Sequence, residues 1–236
     1  GKNLKKSVLE LGGNDPYIIF DDADIKESAE LCAKCRLINS GQSCIAAKRF
    51  IVHQNIYEDF LGQFKKSMES YKYGDPYDEN TKLGPLVSVK DRDNVHQIVE
   101  KFSSNENKII TGGHIPDSKG AFYPPTIITV SENINIEEDE IFGPVALIYI
   151  ASDNKDAIEK ANNSQFGLGA AIFTSDTEKA EKLAKYEIES GSVFINDFVK
   201  SDPRLPFGGI KNSGYGRELS EVGIKEFVNV KTIVTK

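Results

Sequence analysis

Cys44 and Glu10 are the side chains whose surroundings best suit them to chemistry. Cys44 stands in the run Asn39-Ser40-Gly41-Gln42-Ser43-Cys44-Ile45-Ala46-Ala47-Lys48-Arg49, directly after small and flexible residues. That setting leaves the sulfur room to meet a substrate. A lone cysteine is more often a small buried hydrophobe, but one at the lip of a glycine turn reads as a nucleophile. If a helix begins near Cys44, its free N–H groups lower the thiol pKa and hold an oxyanion. Upstream lies Glu10, in Leu9-Glu10-Leu11-Gly12-Gly13. An isolated strand-end carboxylate is usually just solvated. Here two glycines let the backbone approach a ligand closely. A thiol and a carboxylate, each on a glycine bend, suit covalent catalysis with a nearby general base.

The elements that must hold these groups alternate between short β-rich runs and helical patterns. Strands are expected at 16–20, 49–53, 108–111, 126–130, 145–151, 170–174 and 192–196. Asp24 reads as the N-cap of an amphipathic helix to Leu37, with Ala29, Ala33 and Leu37 on one face. Further helices are expected over 56–71, with Phe60, Phe64 and Met68 at i, i+4 and i+8 and Gly74-Asp75-Pro76 as the stop, and over 89–102, 153–162 and 177–186. The alternation implies βαβ units, an α/β fold and a mostly parallel sheet flanked by helices. Val145 to Ala151 is apolar without alternation, as in a strand buried on both faces. Beyond Pro206 come a glycine-rich loop, a helix near 220–228 and a final strand over 231–235. Such a lone terminal strand suits pairing with another subunit.

Composition excludes several classes. The 236 residues carry a net charge of −7, a pattern opposed to general nucleic-acid binding. No apolar run approaches the roughly 20 residues of a membrane span, and the basic first residues lack a secretory apolar core. Three cysteines give no disulfide framework and suit a reducing compartment, so a cytoplasmic location is expected. The only methionine is Met68, which suits a processed or engineered piece of something longer. Cys32 and Cys35 form Cys-x-x-Cys inside a helix, without a second ligand pair, and read as packing. The three histidines show no metal spacing, and Asp21-Asp22-Asp24 lacks the ligand alternation of a calcium loop, so no metal is expected. The run Gly208 to Glu218 contains neither GxxxxGK[ST] nor GxGxxG and reads as a sharply bent packing loop. Glu138-Asp139-Glu140-Ile141-Phe142-Gly143-Pro144 puts a carboxylate and an aromatic ring two apart before a buried strand.

Taken together, Leu9-Glu10-Leu11-Gly12-Gly13, Gly41-Gln42-Ser43-Cys44, Glu140-Ile141-Phe142-Gly143-Pro144 and Pro206-Phe207-Gly208-Gly209-Ile210-Lys211 with Ser213-Gly214 resemble the motifs of the aldehyde dehydrogenase superfamily, in order and spacing. The resemblance covers essentially the whole chain. Gln-Ser-Cys-x-Ala-Ala-Lys-Arg and Ser-Asp-Pro-Arg-Leu-Pro-Phe-Gly-Gly look most like the succinate-semialdehyde dehydrogenase branch. The resemblance implies an aldehyde dehydrogenase-like catalytic domain and NAD(P)-dependent oxidation of an aldehyde, with succinate semialdehyde foremost. Cys44 would attack the carbonyl to form a thiohemiacetal, and Glu10 would activate water to hydrolyse the resulting thioester. Glu140 would bind the nicotinamide-side ribose of NAD or NADP, Phe142 would pack beside it, and the Leu11 backbone would contact the carboxamide. Phe207 would line the substrate tunnel. Arg204, or Arg36 near the nucleophile, would neutralise a substrate carboxylate. A homo-oligomer, dimer or tetramer, is implied, with neither nucleic acid nor membrane as partner. Family members are roughly twice this length, so the chain resembles the C-terminal half alone. Residues 1–13 resemble the last edge of the cofactor domain, 14–212 the catalytic domain, and 213–236 the oligomerisation helix and strand. Such a half is expected to bind NAD(P) poorly and to turn over negligibly. Two other readings stay open: a cofactor-independent cysteine hydrolase, which needs a histidine beside Cys44, and a non-catalytic oligomerisation module.

Overall fold

The computed structural model describes residues 1–103, 107–131 and 140–236; Glu138 and Asp139 of the acidic motif lie outside them. In chain order the elements are β1 (Leu9–Glu10), β2 (Pro16–Ile19), α1 (Ile25–Leu37), β3 (Arg49–His53), α2 (Tyr57–Glu69), α3 (Val89–Ser103), β4 (Lys108–Thr111), β5 (Thr126–Thr129), β6 (Val145–Ala151), α4 (Asn154–Asn162), β7 (Phe166–Gly167), β8 (Gly169–Phe173), α5 (Thr177–Tyr186), β9 (Ser192–Ile195), β10 (Ile210–Lys211), β11 (Gly214–Tyr215) and α6 (Ser220–Glu226). Seven strands form one sheet in the order β4-β5-β6-β3-β2-β8-β9. Every neighbouring pair is parallel except β4 with β5, so the expected α/β architecture is present.

Helices cover both faces because the central strands are apolar on both. Along β2 the side chains alternate. Tyr17 and Ile19 pack with Phe50 and Val52 under α1 and α2, while Ile18 and its neighbour Phe20 pack with Ile51 against α4 and α5. This period-two division is the geometry of an extended strand, and it explains the unbroken apolar run. Phe60, Phe64 and Met68 are fully buried on one stripe of α2, each contributing about 1.5–3 kcal/mol of burial. A third cluster joins α3 (Val95, Val99) to β5 and β6. The helix starts follow local chemistry. Asp24 and Asp153 accept from the amides of Glu27 and Asp156 at 2.9 and 2.8 Å, and Asp176 caps α5 in the same way.

Four differences from the sequence reading stand out. The helix expected to start at Ile56 begins as a single 3-10 turn at Gln54–Ile56 and ends at Glu69, short of Gly74. Residues 231–235 form no strand. A strand exists only by pairing, and no described strand lies alongside them; Val230, Ile233 and Val234 stay at least 81% exposed. The two-residue strands β1, β7, β10 and β11 carry no periodicity to read. They nonetheless pair β1 with β11 and β10 with β7, folding the glycine-rich tail back over the Glu10 segment. Finally, no helix begins at Cys44. Among the described residues no helix is long and apolar enough to cross a membrane.

Candidate active site

Cys44 is delivered by a strained turn at the end of α1. Asn39, Ser40 and Gly41 are consecutively left-handed, with φ of 49°, 56° and 77°. That conformation costs an L-residue about 1–2 kcal/mol, less for asparagine. Neighbouring groups hold it. Asn39 Nδ2 donates to Gln42 O at 3.0 Å, and Ser40 Oγ to Gly84 O at 2.9 Å. Gln42 Oε1 accepts from the Val87 amide at 2.8 Å. Arg36, fully buried, donates to Gly41 O at 2.7 Å. A Cβ at position 41 would stand 2.1 Å from Gly143 O, so only glycine lets this turn lie against the segment after Glu140. The flexibility suggested by Asn-Ser-Gly-Gln is therefore a fixed, heavily bonded bend.

Past the bend the chain makes a simple turn, with Ala46 N–H donating to Ser43 O at 3.1 Å, and enters β3 at Arg49. No helix N-terminus faces the sulfur. The expected lowering of the thiol pKa is not what the surroundings produce. Burial raises it, Asp15 and Glu140 add to the rise, and Lys48 and the Ile45 amide pull it down. Cys44 remains half-buried and reachable, whereas Cys32 and Cys35 are sealed in the core. Burial holds the Cys32 thiol well above its ordinary value and pushes Cys35 up to about 12. The packing role expected of the Cys-x-x-Cys pair matches their setting.

Lys48, in the same motif, sits at 1% side-chain exposure. Its ammonium donates to Ser43 O at 3.0 Å and Cys44 O at 2.9 Å, and pairs with Glu140 Oε1 at 2.9 Å. The other oxygen of Glu140 lies where a Cβ on Gly12 would be 2.6 Å away. On the far side of the turn, a Cβ on Gly13 would stand 2.5 Å from Cys44 O. The two glycines thus let the Glu10 segment lie between Glu140 and the Cys44 turn. Ser213 fastens it: Oγ donates to Gly12 O at 2.7 Å, and Leu11 N–H donates to Ser213 O at 3.1 Å.

Glu10 sits on β1 opposite Gly214. Its Oε1 is buried without a hydrogen-bond partner, 3.0 Å from where a Gly208 Cβ would be. Burial, then the charge of Glu218, raises its pKa; Arg217 and the Gly209 amide oppose the rise. A carboxylate so placed is poised to take a proton. Asp15, two residues past Gly13, is fully buried, accepts from the Gly169 amide at 3.0 Å, and is pushed up to about 7 by burial.

Cys44, Glu10, Leu11 and Glu140 therefore share one belt, built by residues 9–15 between the tail loop and the Cys44 turn. Leu11 and Phe142 expose roughly half their surface, at 50% and 45%. Phe207 is buried, its backbone paired with Glu218. Arg204 stands apart at 85% side-chain exposure, held bidentate by Asp202 at 2.9 and 2.7 Å. Arg36 is no surface arginine: it is buried, with Nη2 bonded to the turn at Gly41 O and with Nε and Nη1 buried without a hydrogen-bond partner. The histidines are occupied elsewhere, with the Asn55 amide, Tyr123 Oη and Gly112 O. None is among the charges that bias Cys44. Among the described residues no three His, Cys, Asp or Glu converge as a metal site. Sequence reading missed Lys48, Asp15 and Ser213 as members of the site. For Lys48 a signal existed: a lysine four residues after Cys44, just before an apolar run of strand length, Phe50-Ile51-Val52.

A family model described as the aldehyde dehydrogenase family matches residues 1–233. An aldehyde dehydrogenase of Paenarthrobacter nicotinovorans is 47% identical over 236 residues, covering 100% of this chain and 51% of that protein. A succinate-semialdehyde dehydrogenase [NADP(+)] of Mycobacterium leprae is 47% identical over 234 residues, covering 99% of this chain and 51% of that protein. A crystal structure of succinic semialdehyde dehydrogenase from Streptococcus pyogenes in complex with NADP+ superposes with a TM-score of 0.92 at 46% identity, over 97% of this chain and 50% of that one. The chain spans about half the length of the curated relatives it matches.

Proposed function

The chain belongs to the aldehyde dehydrogenase family, and on that premise we propose that it is the catalytic half of an NAD(P)-dependent enzyme oxidising an aldehyde, succinate semialdehyde foremost, to the carboxylic acid. The observation that carries the reading is the placing of a reachable thiol on a rigid turn, packed directly against the segment that bears Glu10, a half-buried carboxylate whose Oε1 is out of solvent and whose pKa is raised. The relatives named for NADP(+) support NADP as the cofactor, and those named for succinate semialdehyde support that substrate.

Each residue has a share in the chemistry. Cys44 Sγ, as thiolate, adds to the aldehyde carbonyl and gives a thiohemiacetal. Conversion of this adduct to a thioester expels a hydride, and an oxidised nicotinamide, when bound, would supply the acceptor for it. Glu10 takes a proton from water, which attacks the thioester and releases the acid and the thiol. The raised pKa of Glu10 matches that task better than an ordinary carboxylate would. The residues present fit the nicotinamide-ribose end of a dinucleotide. Glycine at position 12 clears the space that brings Glu140 there, and the carboxylate would accept from ribose hydroxyls. Half-exposed Leu11 and Phe142 would flank the flat ring, the Leu11 backbone meeting the carboxamide. Phe207 would line the substrate tunnel. Arg204 would meet a substrate carboxylate by exchanging it for Asp202.

Residues 1–13 would be the edge of the cofactor domain, 14–212 the catalytic domain and 213–236 the oligomerisation segment of a homo-oligomer in the cytoplasm. The exposed apolar tail of Val230, Ile233 and Val234 supports the last of these. The test uses the parent protein that contains this chain. Cys44→Ser is expected to abolish aldehyde-dependent NAD(P)H production. Glu10→Gln is expected to keep the first-turnover burst and slow the steady state at least a hundredfold. A Cys44→Ser variant with normal turnover would end the proposal.

A further inference from the structure

We propose that Lys48 is a positioning residue that locks the nucleophile turn to Glu140, so that the placement of the Cys44 thiol and of the nicotinamide-side carboxylate are set by one buried ammonium. The inference rests on the reading of Cys44 and Glu140 given above.

A lysine ammonium has three donors and no acceptor. Lys48 is 1% exposed and faces three oxygens: Ser43 O, Cys44 O and Glu140 Oε1, all within 3.0 Å. Burying a charge is costly unless it is paired and hydrogen-bonded. For stability alone, an apolar side chain of the same volume would serve as well or better. The ammonium is therefore explained by what it joins. Two of its bonds hold consecutive carbonyls of the turn, which fixes the peptide on either side of Cys44. Its ion pair with Glu140 Oε1, at 2.9 Å, reaches a segment 92 positions further along the chain, since Glu140 and Lys48 differ by that number. Glu140 Oε2 occupies the space a Cβ on Gly12 would take, and Cys44 O the space a Cβ on the adjacent Gly13 would take. The arrangement closes a ring from nucleophile to ribose carboxylate to general-base segment and back.

Other charges complete the setting. Arg36 and Asp15 both act on Lys48, Arg36 opposing its charge and Asp15 supporting it. Lys48 is the cation that favours the Cys44 thiolate, whereas Asp15 and Glu140 oppose it. Removing the ammonium frees the turn and leaves two carboxylates beside the sulfur.

The experiment measures iodoacetamide alkylation of Cys44 against pH in the cofactor-free parent protein, with peptide mass mapping to isolate that cysteine. This readout needs neither aldehyde nor hydride transfer, so its failure is distinct from failure of the dehydrogenase reading. Lys48→Met, which keeps volume and removes charge, is expected to move the inflection up by about one pH unit or more and to slow alkylation roughly tenfold at pH 7.5. The same variant is expected to raise the Kd for NADP+ severalfold in a fluorescence titration, because Glu140 is no longer held. Should Lys48→Met fail to fold, Glu140→Gln carries the test, with an expected downward shift of the Cys44 inflection. A folded Lys48→Met protein with the wild-type alkylation profile and wild-type NADP+ affinity would overturn the proposal, as would an unshifted profile in Glu140→Gln.

Discussion

Gly13→Ala probes the contact on which the site depends. The added Cβ would stand 2.5 Å from Cys44 O, against the 3.4 Å at which ordinary contact begins, a deficit of about 0.9 Å. It has no retreat: Leu168 Cδ2 stands 3.2 Å away and Asp15 Oδ1 3.3 Å. The obstructing atom is backbone, so the turn itself must move, against its bonds to Lys48. Overpacking of this kind costs about 1–3 kcal/mol of stability. Misplacing a reacting group by about 1 Å costs roughly a hundredfold in rate. Gly12→Ala is the contrast. Its Cβ meets Glu140 Oε2 at 2.6 Å, the far end of a flexible side chain. Displacing that carboxylate strains side chains, the ion pair with Lys48 and the Phe166 ring 3.0 Å from the added Cβ, rather than the backbone of the Cys44 turn, so the expected effect is a raised KM for the cofactor with kcat less disturbed. The assay is steady-state kinetics of the parent protein, with thermal unfolding to confirm the fold and Cys44 alkylation to report on the turn. A Gly13→Ala protein with kcat/KM within about threefold of wild type and unchanged Cys44 alkylation would refute the reasoning, and so would indistinguishable kinetics for the two variants.

In the native protein Cys44 should alkylate while Cys32 and Cys35 stay protected, and all three should react once the protein is unfolded; mass mapping reads the order directly. Asp15 binds a proton more tightly folded than unfolded, because burial raises it from 3.8 to about 7. Its contribution to stability is therefore greatest below about pH 4, falls as pH rises towards 7, and is flat above. Thermal unfolding of Asp15→Asn should show a shallower fall in Tm between pH 5 and 8 than wild type, and equal slopes would remove Asp15 from the account. Arg204→Ala should lower the preference for succinate semialdehyde over an uncharged aldehyde by no more than about fivefold, since an exposed ion pair is weak and screened by solvent. An unchanged kcat/KM ratio would take Arg204 out of substrate binding.

Much of the fold was legible because it rests on local patterns. Apolar runs of strand length, aspartate caps before periodic segments, and the Phe60-Phe64-Met68 stripe each report their own neighbourhood. The site was legible in part, through the motifs around Cys44, Glu10 and Glu140. What escaped reading depends on distant packing. Nothing local marks Leu9–Glu10 as a strand; its partner lies some two hundred residues on, at Gly214–Tyr215. Asn39 and Ser40 look like flexible turn residues, yet Arg36, Gly84, Val87 and Gly143 make their bend rigid. Lys48 and Asp15 read as ordinary charged residues because their burial is decided by the sheet they enter. The thiol pKa was misjudged for the same reason: burial raises it most, Lys48 opposes the rise, and Asp15 and Glu140 add to it, and the spacing around Cys44 displays neither the burial nor the approach of the two carboxylates.

The central claim is that Cys44 carries the acyl group and Glu10 releases it. The most direct measurement is mass spectrometry of the acid-quenched parent protein after mixing with aldehyde and NADP+. In Glu10→Gln the account predicts an acyl adduct, of the mass of the substrate acid less water, on the Cys44 peptide, accumulating to near one per site within the first turnover. The adduct should be absent from Cys44→Ser. An adduct on a different residue, or full turnover with none formed on Cys44, would contradict the account.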